Sequence, residues 1–126
     1  RMTADSPEMD LAALMTALQD RVGVVREWLA FLETYPAVLC PVSGMLPFAQ
    51  QSDVASQAEF DAIMEAQLMQ RALPTLGLPG LSVATGDVDG APVGVQLIGS
   101  KFREDVLLAA GEVIEAACGV PVVAGL

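Results

Sequence analysis

The sequence predicts an α/β fold in which a mixed β-sheet is covered by helices. Segments with helical apolar periodicity alternate with short strand-like runs along the 126 residues, which is the order typical of layered α/β proteins. The strand-like runs are uncharged on both faces, so each face needs a covering layer. The length fits one domain, and we expect a single segment over residues 1–126.

The first predicted helix covers residues 7–34. Ser6 is a typical N-cap, Pro7 suits the first helical position, and Glu8 suits the positive end of the helix dipole. Gly23 weakens the helix by about 1 kcal/mol relative to alanine and marks a site for a kink or a break. One apolar stripe repeats every three or four residues: Leu11, Met15, Leu18, Val22, Val25, Leu29 and Leu32. The same spacing fits a coiled coil, but fewer than four heptads favour packing within the protein.

A short strand is predicted over residues 37–41. Pro36 ends the preceding helix because proline disfavours the helical conformation in the residue before it. The run Ala-Val-Leu-Cys has no polar alternation, which is typical of a strand buried on both faces. Residues 41–53, with two prolines and a glycine, are expected to form a loop.

The second predicted helix covers residues 57–73, and a hairpin follows over residues 81–98. Ser56 and Glu59 have the spacing of a capping box, and Pro74 is expected to end the helix. The hairpin strands are joined by a turn containing Asp89-Gly90, a pair favoured in tight hairpin turns.

The last predicted helix covers residues 103–118, with Glu104 and Asp105 in its first turn and Gly119 closing it. Acidic residues in a first turn interact favourably with the helix dipole. Residues 119–123, Gly-Val-Pro-Val-Val, are expected to add a fourth short strand.

The composition argues against several classes of partner. The formal net charge is −10 and the mean hydropathy is +0.51. Nucleic acids and anionic membranes favour clustered Lys and Arg, so neither is an expected partner. No apolar run approaches the roughly 20 residues that span a bilayer, and no signal peptide is recognised. Cys40 and Cys118 are expected to be buried free thiols, as in a cytoplasmic protein.

The residue inventory also limits the chemistry. The sequence contains no histidine, which excludes Ser–His–Asp and Cys–His catalytic units within this chain and argues against a zinc site. A Walker loop and a Gly-x-Gly-x-x-Gly motif are absent from the sequence as well. We therefore predict no metal, no cofactor and no catalytic residue within these 126 residues.

Two motifs resemble the C-terminal end of the amidase signature family. GLPGLSVATG (77–86) and GAPVGVQLIGSKFREDVLLAAGEVIE (90–115) are similar to its paired glycine- and proline-rich strands and the helix after them. REWLAFLETYPAVLCPV (26–42) resembles its preceding helix and strand. The likeness runs from about residue 21 to 117. The sequence departs from the family pattern at three positions. Pro36, Pro74 and Ala84 occupy positions where the family usually has an acid, an asparagine and a proline. These departures leave the substrate undetermined, but they do not argue against family membership.

The resemblance implies a fragment of a large mixed sheet between helices, in an enzyme that hydrolyses or transfers carboxamides. Such enzymes use a serine nucleophile, a second serine at a cis peptide bond and a lysine base. This sequence has no comparable glycine- and serine-rich loop, and its only lysine, Lys101, adjoins Ser100. Neighbouring residues on a strand point to opposite faces, so these two do not form a catalytic pair.

We therefore expect the C-terminal part of a longer amidase, inactive alone, with a small-molecule amide as the partner of the full-length enzyme. Whether the acceptor is water or an amine stays open. The alternative is a non-catalytic α/β module, starting at Met2, that dimerises or binds a small molecule. As a fragment severed from its partner strands, the chain is expected to expose apolar strand edges and either to pair with another copy or to swap segments with it.

Four residues are candidates for the wall of a substrate pocket, because the resemblance aligns the helix over residues 57–73 and the turn after the second hairpin strand with the family's channel. Met64, Gln67 and Arg71 have the spacing of one helix face. Phe102 stands where the family often has an aromatic residue. For Met64 and Phe102 the alternative is core packing, and for Arg71 it is a surface or interface contact.

Gln96 is the one polar side chain in its predicted strand. Buried amides are normally hydrogen-bonded, so we expect it to be a structural residue that binds loop carbonyls. The alternative is contact with the substrate.

Overall fold

The structure is a computed structural model that describes residues 8–119. The predicted α/β class is confirmed. Helices and strands follow one another as α1 (Leu11–Thr34), β1 (Ala37–Pro41), α2 (Ser52–Ala55), α3 (Gln57–Ala66), α4 (Leu68–Leu76), β2 (Gly80–Val88), β3 (Ala91–Gly99) and α5 (Glu104–Cys118).

The described strands form one three-stranded sheet in the order β1-β3-β2. Strand β3 pairs antiparallel with both neighbours, so β1 and β2 run in the same direction on either side of it. At the hairpin tip Asp89 and Gly90 have φ values of 53° and 78°. Two consecutive positive φ values are typical of the type I′ turn that matches the twist of the strands.

Helices cover both faces of β3. On one face α5 packs Leu107 against Val83 and Leu97. This approach is close, since a Cβ on Gly99 would lie 2.9 Å from Cδ2 of Leu107. On the other face Ile98, which is fully buried, packs against buried residues of α1 and α4. The uncharged character of β3 therefore follows from its position between two layers.

Helix α1 is continuous through Gly23, so there is no break at this residue. Asp10 caps the helix by accepting a hydrogen bond of 2.7 Å from the backbone N–H of Ala13. The predicted start at residues 6 and 7 lies outside the described residues. Only the C-terminal half packs on the sheet, through Val25 and Leu32.

The predicted helix over residues 57–73 is instead two helices, α3 and α4, separated at Gln67. Helix α4 also continues past Pro74 to Leu76. Proline removes the hydrogen bond to the carbonyl four residues earlier, and its ring crowds that carbonyl. Here the carbonyl belongs to the exposed Gln70. The helix ends where Gly77, with φ of 67°, donates its N–H to the Leu73 oxygen at 2.9 Å.

Three further expectations differ from the structure or fall outside it. The segment predicted as a loop over 41–53 runs into the short helix α2. Cys118 is exposed, because it is the last residue of α5, while Cys40 is half-buried. The fourth strand predicted for residues 119–123 lies beyond the described elements, since only Gly119 of that range is described.

Within residues 8–119, none of the helices combines the length and the apolar character needed to cross a bilayer. The same residues contain no group of three or more potential metal ligands.

Candidate functional site

A groove of about 810 Å³ lies between the loop after β1, the start of α4 and one face of the hairpin. The loop after β1 forms one wall over residues 42–48. Gln67, between α3 and α4, and Gln70 of α4 lie beside it. The remaining lining residues come from the hairpin: Ser82, Val83, Ala84, Pro92, Val93 and Gly94.

Two hydrogen bonds hold the loop wall against the helices. The N–H of Gly44 donates to the Ala66 oxygen at 2.8 Å, and Nε2 of Gln70 donates to the Val42 oxygen at 2.8 Å. The first bond uses a carbonyl that the interruption at Gln67 leaves without its helical partner. The break between α3 and α4 therefore provides the acceptor that positions the loop.

The floor of the groove consists of small residues on one face of the hairpin. Ser82 and Ala84 are two residues apart on β2 and so share a face, and Ala84 pairs with Gly94 of β3. A Cβ on Gly94 would lie only 2.6 Å from the Val83 oxygen, so no larger residue fits there without a backbone shift. The groove exists because large side chains are absent from this part of the sheet.

The lining is uncharged among the described residues, although the chain carries a net charge of −10. Its apolar part includes Met45, Leu46 and Phe48, and its polar side chains come from Ser43, Gln67, Gln70 and Ser82. Apolar walls with a few polar groups are typical of sites for small neutral molecules. An ionised ligand would lose hydration without meeting an opposite charge.

Of the four predicted pocket residues, the structure places only Gln67 in the groove lining. Arg71 is exposed and donates from Nη1 to the Met64 oxygen at 3.1 Å. This carbonyl is also next to the helix interruption, so Arg71 stabilises the break. The Met64 side chain is half-buried outside the lining. Phe102 is 89% exposed in the turn before α5, with φ of 61°.

Gln96 is buried, with 8% of its surface exposed, on the central strand. Its Oε1 has no hydrogen-bond partner within the described part of the chain. Its Nε2 lies close to Gly80, 3.1 Å from the position that a Cβ would take there. Gln96 is two residues beyond Gly94 and faces the same side of the sheet, but it does not line the groove.

The loop wall and the hairpin floor were not among the predicted site residues. A loop that directly follows a strand is a frequent location for binding residues, and residues 42–48 follow β1 in this way. Strand β1 lies at an edge of the described sheet and its Leu39 is 60% exposed, so the prediction that it is buried on both faces was wrong. The floor residues could not be recognised in the sequence, because alanine and glycine at positions 84 and 94 are also found in strands that line no groove.

Ionisable groups near the groove are few. Cys40 of β1, which pairs with Gln96 in the strand register, has a thiol whose pKa is raised by burial. It therefore stays protonated more readily than an exposed thiol. Ser100 and Lys101 follow the end of β3 and lie outside the lining.

Comparisons with known proteins agree with this architecture. The amidase family profile matches residues 2–108. Indoleacetamide hydrolase of Bradyrhizobium japonicum is 38% identical over 113 residues, which are 89% of this chain and 24% of that protein. Indoleacetamide hydrolase of Bradyrhizobium diazoefficiens is 35% identical over 120 residues, 94% of this chain and 23% of that protein.

A solved structure is similar as well. The crystal structure of a glutamyl-tRNA(Gln) amidotransferase subunit from Thermotoga maritima superimposes with a TM-score of 0.61 at 27% identity, over 82% of this chain and 21% of that one. The chain belongs to the amidase family. It spans about a quarter of the length of the curated relatives that it matches.

Proposed function

We propose that this chain forms one wall of the substrate pocket of an amidase that hydrolyses carboxamide C–N bonds. The observation that carries the proposal is the uncharged groove between the loop over residues 42–48 and the hairpin floor. Membership of the amidase family supports the reaction class. Because the chain corresponds to about a quarter of its relatives' length, we attribute the reaction to a longer protein of which this chain is the C-terminal part.

Within this groove we propose that the substrate is an aromatic carboxamide. Met45, Leu46 and Phe48 offer apolar contacts to a ring, while Gln67 and Ser82 offer hydrogen-bond groups to a neutral amide. Two relatives are named as indoleacetamide hydrolases, and indole-3-acetamide is a neutral aromatic amide of this kind.

The chain alone is proposed to be inactive. Amide hydrolysis needs a nucleophile and a base within hydrogen-bond reach of each other. The sequence has no histidine, and Lys101 lies outside the groove. Incubation of the purified chain with indole-3-acetamide should release no ammonia above a blank without protein. Release above that blank would contradict the proposed inactivity.

Calorimetric titration with indole-3-acetamide tests the pocket itself. The chain should bind this amide, and Ala84→Trp should abolish binding by filling the groove floor. Val113→Trp is the matched control, since Val113 is 69% exposed on α5, which packs on the opposite face of the sheet. Equal binding by both variants, or no binding by the unmodified chain, would contradict the proposed site.

We also propose a cytoplasmic location. Its support is that both cysteines, Cys40 and Cys118, are free, as is usual in a reducing compartment.

A further inference from the structure

The proposed reaction turns a neutral compound into an ion. Hydrolysis adds the oxygen of water to the amide carbon and breaks its C–N bond, which gives a carboxylic acid and ammonia. Carboxylic acids ionise at about pH 4, so at neutral pH the acid transfers its proton to ammonia, and the products are a carboxylate and ammonium. The organic substrate and the organic product therefore have the same ring but differ in charge.

The groove offers no charge that compensates a carboxylate. Of the described residues, neither an arginine nor a lysine is among those that line it. Its polar side chains are the amides of Gln67 and Gln70 and the hydroxyls of Ser43 and Ser82. The amide of Gln70 is already engaged, because its Nε2 donates to the Val42 oxygen at 2.8 Å. Transfer of an ion from water to neutral surroundings costs free energy that a few neutral hydrogen bonds do not restore in full.

The arginine that directly follows the lining residue Gln70 is bonded elsewhere. Arg71 lies one helical turn after Gln67, and its backbone N–H donates to the Gln67 oxygen at 3.1 Å. Its guanidinium Nη1 donates to the Met64 oxygen at 3.1 Å, and Arg71 does not line the groove. A guanidinium that satisfies a helix carbonyl outside the groove does not neutralise an anion within it.

We propose that this wall discriminates the neutral amide from its anionic acid and thereby favours release of the product. The inference rests on the proposed function, because it concerns the same groove and the same reaction. Gln67 is the specificity-determining residue, since its side chain can donate and accept hydrogen bonds but carries no charge. The apolar contacts do not contribute to the discrimination, because the ring of the acid is the same as that of the amide.

Calorimetric titration of the full chain with indole-3-acetamide and with indole-3-acetate at neutral pH tests this discrimination. The acid should bind at least about tenfold more weakly, the effect of one charged group left without a partner. Equal affinities would overturn the inference and leave the proposed pocket standing. Binding of neither compound would overturn the proposed pocket, and the inference with it.

A lysine in the lining tests the role of Gln67. Gln67→Lys should bind indole-3-acetate at least about tenfold more tightly than the unmodified chain does, because an ammonium then meets the carboxylate. Its affinity for the amide should not rise. An unchanged preference for the amide in this variant, with a native far-UV circular dichroism spectrum, would overturn the assignment of Gln67.

Val113→Lys is the matched control for the added charge. Val113 is 69% exposed on α5, which packs on the opposite face of the sheet, so both affinities should stay unchanged. The preference of the unmodified chain should also persist in about 1 M salt, where the screening length is about 3 Å. Loss of the preference in this variant, or in salt, would show that the net charge of −10 repels the acid, and would overturn the role of the groove.

Discussion

The backbone N–H of Gly44 donates a 2.8 Å hydrogen bond to the carbonyl oxygen of Ala66. This bond joins the loop after β1 to the last residue of α3. Because the helical ladder is interrupted at Gln67, the Ala66 oxygen is available to accept it. The position of the groove wall thus depends on a local interruption of the helix.

Removing the Gly44 donor should therefore destabilise the fold. Gly44→Pro has no N–H, so the half-buried Ala66 loses the partner of its oxygen. We expect a loss of about 1–3 kcal/mol, the usual cost of an unsatisfied buried group. Urea denaturation measures it. Gly44→Ala is the control, since it keeps the N–H and its Cβ would lie 3.4 Å from the Ala66 backbone. It should change stability little. An equal loss of stability in both variants would show that the hydrogen bond is not the cause.

Gly94 is expected to tolerate no side chain. In Gly94→Ala the new Cβ would lie 2.6 Å from the Val83 oxygen, which belongs to the paired strand and cannot move independently. Overpacking of this kind costs about 1–3 kcal/mol, and the melting temperature should fall accordingly. An unchanged melting temperature would mean that β2 moves away from β3 freely.

Substitution of Gly23 should raise the stability of the fold, in contrast to substitution of Gly94. It lies inside α1 with no atom within 4 Å of the position of a Cβ. Gly23→Ala should raise the free energy of unfolding by about 0.5–1 kcal/mol, because alanine restricts the unfolded chain and favours the helix. Urea denaturation again measures it, and a loss of stability would indicate that α1 is not continuous at this point.

Substitutions of Gln67 and Arg71 should have different effects, because we expect Gln67 to bind the amide and Arg71 to stabilise the fold. Gln67 lines the groove, whereas Arg71 bonds the Met64 oxygen. Gln67→Ala should weaken indole-3-acetamide binding about fivefold, the equivalent of one hydrogen bond of roughly 1 kcal/mol. Arg71→Ala should leave the affinity unchanged and lower stability slightly. Calorimetric titration and urea denaturation of both variants give the comparison, and a reversed pattern would refute these assignments.

The two cysteines should react at different rates with iodoacetamide. Cys118 is exposed, whereas burial raises the pKa of the Cys40 thiol. Burial thus lowers the thiolate fraction of Cys40 and its access to the reagent, and only the thiolate reacts. Mass spectrometry at intervals should show Cys118 alkylated first. In a fully denaturing concentration of guanidinium chloride both should react alike; equal rates in the native protein would contradict the packing of β1.

The strands could be predicted from the sequence because the residues that specify each strand and its turn are adjacent in the chain. Uncharged residues on both faces of residues 93–98 indicate a strand covered on two sides, and Asp89-Gly90 indicates its turn. The interruption at Gln67 could not be predicted in this way. The apolar spacing runs on through residues 57–73, and the contacts of Gly44 and Arg71 that stabilise the break come from the tertiary structure.

Only part of the site could be predicted, for a related reason. The family resemblance indicates residues 57–73, and of the residues selected there the structure places Gln67 in the groove lining; its role in binding stays a prediction. Phe102 is selected by the same resemblance, yet it lies in an exposed turn away from the groove. The groove floor is open because Ala84 and Gly94 have no large side chain. In a sequence, a small strand residue that lines a groove cannot be distinguished from one that packs in a core.

The most direct test of the proposed substrate wall is a nuclear magnetic resonance titration of the isotopically labelled chain with indole-3-acetamide. We expect saturable shifts of the backbone amides of Ser82, Ala84 and Gly94, together with those of the loop over residues 42–48. Amides on the outer face of α5, such as that of Val113, should not shift. Shifts confined to α5, or none at saturating amide, would contradict the assignment of this groove as part of an amidase pocket.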